Sequence, residues 1–317
     1  MAPQPLCIAS HLDPQLFGEI IGRVAALDNI RLQPADPMRP WDLPPDSAIL
    51  LTSGAAHWKA SRDRPPHWPP LALRWIQHVG AGVDDFPPWL LRSIPVAIAR
   101  GTSSDAIAEY ALAAMLAHAK RWSETRVTGT EGWRRHRLGT LRGATIGLAG
   151  LGAIGSAITR LAAAFGPSFL AWRREPSGSA IECVGSLEEL ASRSDHLVIA
   201  LPLTDATRGI ISERVLARAR PGLHLVNVAR GELVDETALL AAIQSGRIGG
   251  ASLDTLASEP PPIDHPFFTE PRIRITAHIA WSAPGAQRRI ADKVALNIAR
   301  HVEGRPPLDL VVPERGY

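Results

Sequence analysis

The chain is poor in cysteine and lysine, and it contains no long apolar run. Its two cysteines, Cys7 and Cys183, provide neither a disulfide framework nor the spacing of a metal site, so we expect a reduced, cytoplasmic location and no metal. No apolar stretch reaches the length that a bilayer requires, and residues 1–5 lack the basic and apolar regions of a secretory signal. We therefore expect no membrane association.

Charge is nearly balanced despite the shortage of lysine. Three lysines leave 34 − 3 = 31 arginines, and 31 acidic residues oppose them, so a pI of 9.2 goes with a net charge of only +3. The arginines are scattered, apart from short clusters such as residues 134–137. Because nucleic-acid-binding proteins concentrate basic residues in a stripe or a known module, this composition predicts no nucleic-acid partner.

The length of 317 residues suits two domains, and the order of the apolar runs predicts an α/β fold. Before residue 100, apolar runs alternate with helical patterns and proline clusters, which predicts a small unit with parallel strands. From residue 145 a second series predicts a doubly wound sheet of about six parallel strands. The predicted strands are Leu6–Ala9, Ala48–Thr52, Leu73–His78 and Val96–Ala99 in the first unit, then Thr145–Ala149, Ser168–Trp172, His196–Leu201, Leu223–Val228, Gly250–Asp254 and Ile273–Thr276.

Two helical segments lie outside these series. After Ser103-Ser104, apolar residues at helical spacing predict a long helix that ends near Lys120. This helix links two domains or packs against a partner, and we interpret its apolar face as core. Residues Pro284–Val302 predict a second helix, and Leu308–Val312 is interpreted as a return to the first unit.

A glycine motif follows the first strand of the second series. Gly150, Gly152 and Gly155 form G-x-G-x-x-G, with an apolar strand before them and a helical pattern after them. The first glycine permits a tight turn, the second lets the backbone approach a pyrophosphate, and the third allows close packing of helix and strand. The N-terminus of the helix then faces the phosphates. The motif therefore predicts a dinucleotide-binding site.

The next predicted strand ends in two arginines. An acidic residue at this point would bind a ribose 2′-hydroxyl, but Arg173 and Arg174 stand there instead. Because guanidinium groups suit a 2′-phosphate, we predict NADP(H) as the preferred cofactor and NAD(H) as the second candidate. The alternative interpretation is that both arginines are solvated surface charges.

Three polar residues follow later strands. Arg230 follows Leu223–Val228, Glu259 lies five residues beyond Asp254, and His278 comes directly after a strand. Since ligands in such folds bind at the carboxyl ends of the strands, we expect these side chains to converge. Arginine binds a carboxylate and polarises the adjacent carbonyl, histidine donates a proton near neutral pH, and glutamate orients the imidazole. Reduction of a 2-oxo acid by a nicotinamide needs this set.

Here the chain resembles the NAD(P)-dependent D-isomer-specific 2-hydroxyacid dehydrogenases, a family that includes glyoxylate/hydroxypyruvate reductases. The matching segments cover nearly all of the chain: His78–Asp84, Ala108-Glu109, Gly150–Gly155, Leu201–Thr204 with Thr207, Asn227–Gly231, Asp254 with Glu259-Pro260, and His278–Ala280. By this resemblance, the family's catalytic arginine, glutamate and histidine fall on Arg230, Glu259 and His278.

The resemblance also implies binding residues. The backbone of residues 79–82 would meet the substrate carboxylate, Asp254 would bind the nicotinamide carboxamide, and Pro202 and Thr207 would flank the cofactor. The expected cofactor contacts are Gly150, Gly152, Ala153, Ile154, Gly155, Arg173, Arg174, Pro202, Thr207, Val228, Ala229, Arg230, Asp254 and His278. The expected substrate contacts are Val79, Gly80, Ala81, Gly82, Arg230 and Trp281.

The family fold implies two Rossmann-like domains with doubly wound parallel sheets. A cofactor domain (residues 101–284) would be inserted in a discontinuous substrate domain (residues 1–100 plus 285–317), and a homodimer would form around the cofactor domain. The expected activity is NADPH-dependent reduction of a small 2-oxo acid, such as glyoxylate or hydroxypyruvate, to the D-2-hydroxy acid. The alternative is a non-enzymatic NAD(P)-sensing regulatory protein, because the fold also serves corepressors.

Residues beside His278 depart from the family pattern, so the identity of the oxo acid is not fixed by the resemblance. Ala277 replaces a proline that is common before the histidine, and Trp281 stands where small residues are frequent. We expect Trp281 to narrow the substrate pocket. Bulkier acids such as phenylpyruvate remain candidate substrates. His78 is interpreted as structural, and Trp133 as a residue that packs in a loop or reaches the active site.

Overall fold

The computed structural model describes residues 5–24, 29–53, 58, 63, 65, 67–174 and 180–317. The chain divides into two compact units. The first unit comprises Met1–Ser103 and Pro284–Tyr317, and the second comprises Ser104–Ala283. These breaks fall close to the ones predicted at residues 101 and 285. The assignment of substrate and cofactor to the two units stays a prediction.

Both units are built of parallel strands and helices. The strands are β1 (Leu6–Ser10), β2 (Ile30–Pro34), β3 (Ile49–Thr52), β4 (Trp75–His78), β5 (Val96–Ile98), β6 (Thr145–Ala149), β7 (Ser168–Trp172), β8 (Glu182–Cys183), β9 (His196–Ile199), β10 (Leu223–Asn227), β11 (Ile248–Leu253) and β12 (Ile273–Ile275). The helices are α1 (Pro14–Val24), α2 (Pro88–Ser93), α3 (Ser104–Ala119), α4 (Trp122–Thr125), α5 (Ala153–Ala162), α6 (Leu187–Arg193), α7 (Glu213–Arg218), α8 (Glu236–Gln244) and α9 (Ala286–Val302). Short 3₁₀ turns cover Thr130–Gly132, Ala163–Phe165, Gly231–Leu233 and Pro266–Thr269.

The sheet of the first unit has the order β2-β1-β3-β4-β5, and all of its pairings are parallel. Its central strand β3 is buried on both faces, which explains the consecutive apolar residues 49–51. The sequence did not predict β2. This edge strand alternates apolar residues with Arg31 and Gln33 and ends at Pro34, so it lacks the apolar run of a central strand.

Helix α9 completes the first unit from the far end of the chain. Its Ile290 and Ile298 are buried in one cluster with Ile8 of β1. The buried amide of Asn297 donates to Gln77 Oε1 over 2.8 Å and fixes the helix on β4. The segment that follows returns to β5, where Ala97 and Leu310 form an antiparallel bridge. The predicted return of the chain end to the first unit is confirmed.

The sheet of the second unit has the order β12-β11-β10-β9-β6-β7-β8 with parallel pairings. Strands β7 and β8 are added on one side of β6 and strands β9 to β12 on the other, so the strand order reverses at β6. This makes the sheet a doubly wound Rossmann arrangement with its switch point at β6. The six predicted strands are present. The seventh, β8, escaped prediction because it has only two residues, both exposed.

Helix α3 packs within the second unit. Ala108, Ala111 and Met115 are fully buried and share a core cluster with Leu148 and Val198 of the sheet. The interpretation of its apolar face as core is confirmed. No helix in the described part of the chain has both the length and the apolar character needed to cross a membrane.

Candidate active site

The glycine motif lies at the carboxyl end of β6, at the switch point of the second sheet. Gly150 adopts φ +105°, and a Cβ there would lie 2.5 Å from the carbonyl oxygen of Ala200. A Cβ at Gly155 would lie 2.4 Å from the carbonyl oxygen of Gly150. Both positions therefore require glycine, the first for the turn beside β9 and the second for the close approach of α5.

The middle glycine of the motif, Gly152, faces open space. A Cβ at Gly152 would meet no atom within 4 Å, so the chain's own packing does not explain a glycine there. Gly152 and Ala153 are exposed, and they open the first turn of α5, where backbone N–H groups have no partner within the helix. This exposed cradle fits the pyrophosphate of a dinucleotide, which binds at such a helix N-terminus.

The two arginines stand beside this turn. Gly150 N donates to Trp172 O over 3.0 Å, which fastens the turn to the end of β7, and Arg173 follows directly. Arg173 is half-buried and Arg174 is exposed. Residues 175–179 lie outside the described part of the chain.

The loop after β9 approaches the same turn and is held by its own hydrogen bonds. Thr207 Oγ1 donates to Pro202 O over 2.8 Å, and it accepts from Thr204 N over 2.8 Å. The Thr207 side chain is buried, so its hydroxyl shapes the loop that presents Pro202. Ala200 of this segment is the residue that contacts Gly150.

Arg230 stands in a loop that Asn227 organises. Asn227 Nδ2 donates to Arg230 O over 2.8 Å, while its Oδ1 accepts from Ala229 N over 3.1 Å. Val228 and Ala229 are buried, and Arg230 is half-buried with Nη1 donating to Ala229 O. The side-chain amide of Asn227 thus fixes the backbone from which the guanidinium extends.

The loop that follows β11 lies in close backbone contact with the loop of Arg230. A Cβ at Gly231 would lie 1.9 Å from the carbonyl carbon of Leu256, so only glycine allows the two loops to touch. Glu259 Oε1 accepts from Leu256 N over 3.0 Å. The carboxylate of Glu259 is therefore held by the strand-end loop that packs on the residue after Arg230.

His278 and Glu259 form the hydrogen-bonded pair that the sequence predicted. His278 Nδ1 lies 2.9 Å from Glu259 Oε2, and each side chain is 39% exposed. A carboxylate can only accept, so Nδ1 carries the proton and Nε2 is left with its lone pair or a second proton. Nε2 makes no hydrogen bond to the described residues. The pair therefore offers one ring nitrogen for exchange of a proton with a bound molecule.

Asp254 anchors the segment that carries the histidine. Its carboxylate accepts from Thr276 Oγ1 over 2.6 Å and from Ile279 N and Ala280 N over 2.9 Å each. His278 N also donates to Asp254 O over 2.8 Å. Asp254 is only 2% exposed, so the structure assigns it an internal role as an anchor, and its predicted contact with a carboxamide stays a prediction.

The predicted carboxylate-binding loop belongs to the first unit. Val79 N donates to Thr52 O over 3.0 Å, and Gly80 O accepts from Ala99 N over 2.9 Å. Its residues 79–82 are exposed or half-buried after the buried strand β4. His78 is buried, with Nδ1 3.2 Å from Thr52 O, which agrees with the structural interpretation of this histidine.

Sequence reasoning missed one contact at the histidine. Trp281 Nε1 donates to His278 O over 2.9 Å. From the sequence, the indole was expected to line a substrate pocket. Its bond to a backbone carbonyl could not be predicted, because every residue carries such an acceptor. Trp133, by contrast, is 83% exposed and packs on no core cluster.

A second group of histidines was also missed, at the opposite end of the sheet. His196 Nδ1 lies 3.1 Å from His224 Nδ1, and His224 Nε2 lies 3.1 Å from Ser252 Oγ. The His118 ring of α3 stacks on His224 at 4.0 Å. Burial lowers the pKa of His196 to about 4 and holds the pKa of His224 well below its ordinary value. Burial also lowers the pKa of His118.

These histidines form no metal centre. In the described ranges, no three His, Cys, Asp or Glu side chains group in a way that would hold a metal ion. Cys7 and Cys183 are both free thiols.

The second unit thus combines a dinucleotide cradle with a half-exposed His–Glu pair at the carboxyl edge of one doubly wound sheet. This combination defines a nicotinamide-dependent oxidoreductase. The profile of the family described as "D-isomer specific 2-hydroxyacid dehydrogenase, NAD binding domain" matches residues 112–280. The protein belongs to the D-isomer specific 2-hydroxyacid dehydrogenase family.

Individual relatives agree with this assignment. The chain is 32% identical over 271 residues to glyoxylate/hydroxypyruvate reductase A of Serratia proteamaculans, an alignment that covers 80% of this chain and 86% of that protein. The chain is also 33% identical over 253 residues to D-3-phosphoglycerate dehydrogenase of Mycobacterium leprae, in an alignment that covers 77% of this chain. The match spans only about half of the mycobacterial enzyme, 48% of its length.

Solved structures show the same fold over the full chain. A D-isomer specific 2-hydroxyacid dehydrogenase from Xanthobacter autotrophicus, in complex with NADPH and MES, aligns with a TM-score of 0.82 and 28% identity, covering 99% of this chain and 100% of that chain. An NADPH-dependent glyoxylate/hydroxypyruvate reductase from Sinorhizobium meliloti, in complex with NADP and malonate, aligns with a TM-score of 0.75 and 25% identity over 98% of each chain.

Proposed function

We propose that this protein reduces a small 2-oxo acid, such as glyoxylate or hydroxypyruvate, to the D-2-hydroxy acid with NADPH. The observation that carries the proposal is the 2.9 Å hydrogen bond between His278 Nδ1 and Glu259, in which the half-exposed ring uses Nδ1 and makes no bond to the described residues through Nε2. Arg230 extends from a loop whose next residue packs on the loop of Glu259.

The His–Glu pair acts as the proton donor. Glu259 accepts the hydrogen bond from Nδ1 and so fixes the orientation of the ring and the proton on that nitrogen. Nε2 then donates its proton to the oxygen of the substrate carbonyl as that oxygen becomes an alcohol. In the reverse direction the neutral ring accepts the proton from the hydroxyl.

Arg230 binds the substrate carboxylate and polarises the adjacent carbonyl, since a guanidinium matches a carboxylate with two parallel donors. Trp281 limits the side chain of the acid. Because an α-oxo acid carries its carboxylate next to the reacting carbonyl, binding of one group places the other.

The cofactor would be held by the exposed cradle at Gly152 and the first turn of α5, with Pro202, Thr207, Val228 and Ala229 beside it. When bound, the nicotinamide supplies the hydride. Arg173 and Arg174 follow the strand next to the cradle, where a 2′-phosphate of NADP(H) would meet guanidinium groups. Asp254 contributes by keeping the strand-end segment in place.

The decisive experiment measures NADPH oxidation with a panel of oxo acids: glyoxylate, hydroxypyruvate, pyruvate and phenylpyruvate. Turnover of at least one small oxo acid is expected, with the D-hydroxy acid as the product on chiral chromatography. Absence of turnover with every acid, in protein that binds NADPH by calorimetry, would overturn the proposal.

Cofactor preference has a separate test. Arg173→Asp removes a cation and restores the acid of NAD-using enzymes, so the Kd for NADPH is expected to rise about tenfold or more while that for NADH falls. Arg208→Asp changes an exposed arginine in another loop and serves as the matched control. Equal affinity of the unmodified protein for NADPH and NADH would contradict the preference.

Three lesser expectations accompany the activity. A homodimer built around the second unit is checked by light scattering, and a monomer at micromolar concentration would contradict it. A reduced cytoplasmic location suits two free thiols. The alternative of a non-enzymatic NAD(P)-sensing protein is not favoured, because relatives that align over most of the chain are named as reductases.

A further inference from the structure

The backbone of His278 adopts a conformation that few residues of its type adopt. Its φ is +53°, in the left-handed region. A side chain with a Cβ occupies this region only when the surroundings hold it there, and such residues concentrate at functional sites. The direction in which the imidazole leaves the chain depends on this conformation.

Four of the hydrogen bonds that restrain this conformation go to two acidic residues. His278 N donates to Asp254 O over 2.8 Å, which fixes the peptide before the histidine. The Asp254 carboxylate accepts from Ile279 N over 2.9 Å and from Ala280 N over 2.9 Å, which fixes the chain after it. Glu259 holds the side chain at Nδ1. None of these bonds engages the carbonyl oxygen of His278.

Trp281 provides that remaining restraint. Its Nε1 donates to His278 O over 2.9 Å, and an indole has only this one donor. The Trp281 side chain is 45% exposed, so burial in the core does not explain its position. Ser282 N donates to Ile279 O over 2.8 Å and closes the turn that brings the indole back to the histidine.

We propose that Trp281 is a positioning residue: its indole N–H holds the peptide between His278 and Ile279, and through it the left-handed conformation that directs the imidazole toward the substrate carbonyl. The inference rests on the proposed function for its catalytic consequence. It assigns the indole nitrogen a task distinct from the contact of its ring with the substrate, because a phenylalanine would preserve an aromatic wall but not the hydrogen bond.

The test compares Trp281→Phe with the unmodified protein in NADPH-dependent reduction of glyoxylate. Loss of one hydrogen bond that orients the proton donor is expected to lower kcat about three- to tenfold. The solvent deuterium isotope effect on kcat is expected to increase, since proton transfer becomes slower. KM for glyoxylate and Kd for NADPH are expected to change less than twofold. Trp122→Phe, at a 66% exposed tryptophan of α4, is the matched control and should leave all four quantities unchanged.

Two results would overturn the proposal. A raised KM that grows with the size of the oxo acid, at unchanged kcat and isotope effect, would make Trp281 a pocket wall only. Unchanged kinetics throughout would deny it any role.

A second readout works without turnover. Nitrogen-15 spectra of labelled histidine, with His278 identified from the His278→Gln variant, report which ring nitrogen carries the proton. In Trp281→Phe the Nδ1-protonated form of His278 is expected to lose its dominance. If the unmodified protein reduces no oxo acid, the proposed function fails, yet this spectrum still decides whether Trp281 positions the histidine. An unchanged spectrum would refute the positioning role.

Discussion

The strands of the second sheet carry histidines near both of their ends, in opposite environments. After the carboxyl end of β12, His278 is 39% exposed and bonds to Glu259 through one ring nitrogen. Near the amino ends of β9 and β10, His196 and His224 are 4% and 1% exposed and lie nitrogen to nitrogen. At the second site the protein engages both nitrogens of His224.

The difference separates a chemical role from a structural one. A half-exposed imidazole with a free nitrogen exchanges a proton with a bound molecule, and its carboxylate partner sets its orientation. A buried imidazole between two polar groups joins neighbouring strands and stays neutral, because charge is costly without water. Changes at the carboxyl edge should therefore reduce activity at constant stability, and changes at the amino end should do the reverse.

The largest effect is expected from His278→Asn. Removing the proton donor should lower kcat about 10²- to 10⁴-fold, the usual contribution of general acid catalysis. Thermal unfolding and NADPH affinity should stay close to those of the unmodified protein, since the half-exposed ring contributes little packing. Steady-state kinetics, calorimetric Tm and cofactor titration check this. A large fall in Tm would break the comparison by making His278 structural.

The second largest effect is expected from acid, which should lower the stability of the fold through the buried His196. His196 is neutral in the folded state with a pKa of about 4, while the unfolded chain takes up its proton below about pH 6.5. The unfolded state thus binds more protons as pH falls, and stability is lost between about pH 6.5 and 4, by about 3 kcal/mol from His196 alone. Urea unfolding at pH 7.5 and pH 5 measures the loss. Constant stability over that interval would contradict the assignment of a neutral buried pair.

Glu259→Gln should give a smaller loss of activity. The amide retains the size of the side chain but replaces the charged acceptor at His278 Nδ1 with a neutral one. A hydrogen bond to a charged group is worth about 1.5–3 kcal/mol, which corresponds to a fall in kcat of roughly 10- to 150-fold. Asp264→Asn, a neighbouring acid outside the pair, is the control. Activity equal to that of the unmodified protein would show that the histidine needs no carboxylate.

The smallest effect concerns stability at neutral pH. His196→Ala leaves His224 Nδ1 without a partner, at a cost of about 1–3 kcal/mol, and Tm should fall by roughly 2–10 °C. The kcat should not change, and the pH dependence of unfolding should become shallower. His67→Ala, at an exposed histidine, provides the comparison. Loss of activity without loss of stability would reverse the roles of the two ends.

These two groups of histidines also differ in how far they could be predicted. Glu259 and His278 follow strands, and parallel topology brings strand ends together, so the hydrogen bond between them could be expected from their positions. The part that Arg230 plays beside them stays a prediction. His196 and His224 lie inside predicted strands, where period-two patterning places a side chain on a face but does not identify its neighbour. Their pairing depends on strand order and register, in which His224 lies opposite His196.

Other misses share this cause. Strand β2 is an edge strand that alternates polar residues, and β8 has two exposed residues, so neither carries the apolar run of a central strand. The indole of Trp281 bonds to a carbonyl oxygen, a partner that every residue supplies. Asp254 follows a strand, as predicted, but two of the three hydrogen bonds to its carboxylate come from backbone N–H groups, which every residue except proline supplies.

The late position of α9 in the chain has a consequence for biosynthesis. Residues 1–103 emerge from the ribosome first, yet the cluster around Ile8 is filled by Ile290 and Ile298, which are translated much later. At about 5–20 residues per second the first unit waits roughly 10–40 s for its last helix, while the contiguous second unit already has its whole sequence. Nascent chains that hold residues 1–283 outside the ribosome should therefore be cleaved by protease before residue 103 and protected beyond it, because the cluster around Ile8 still lacks α9.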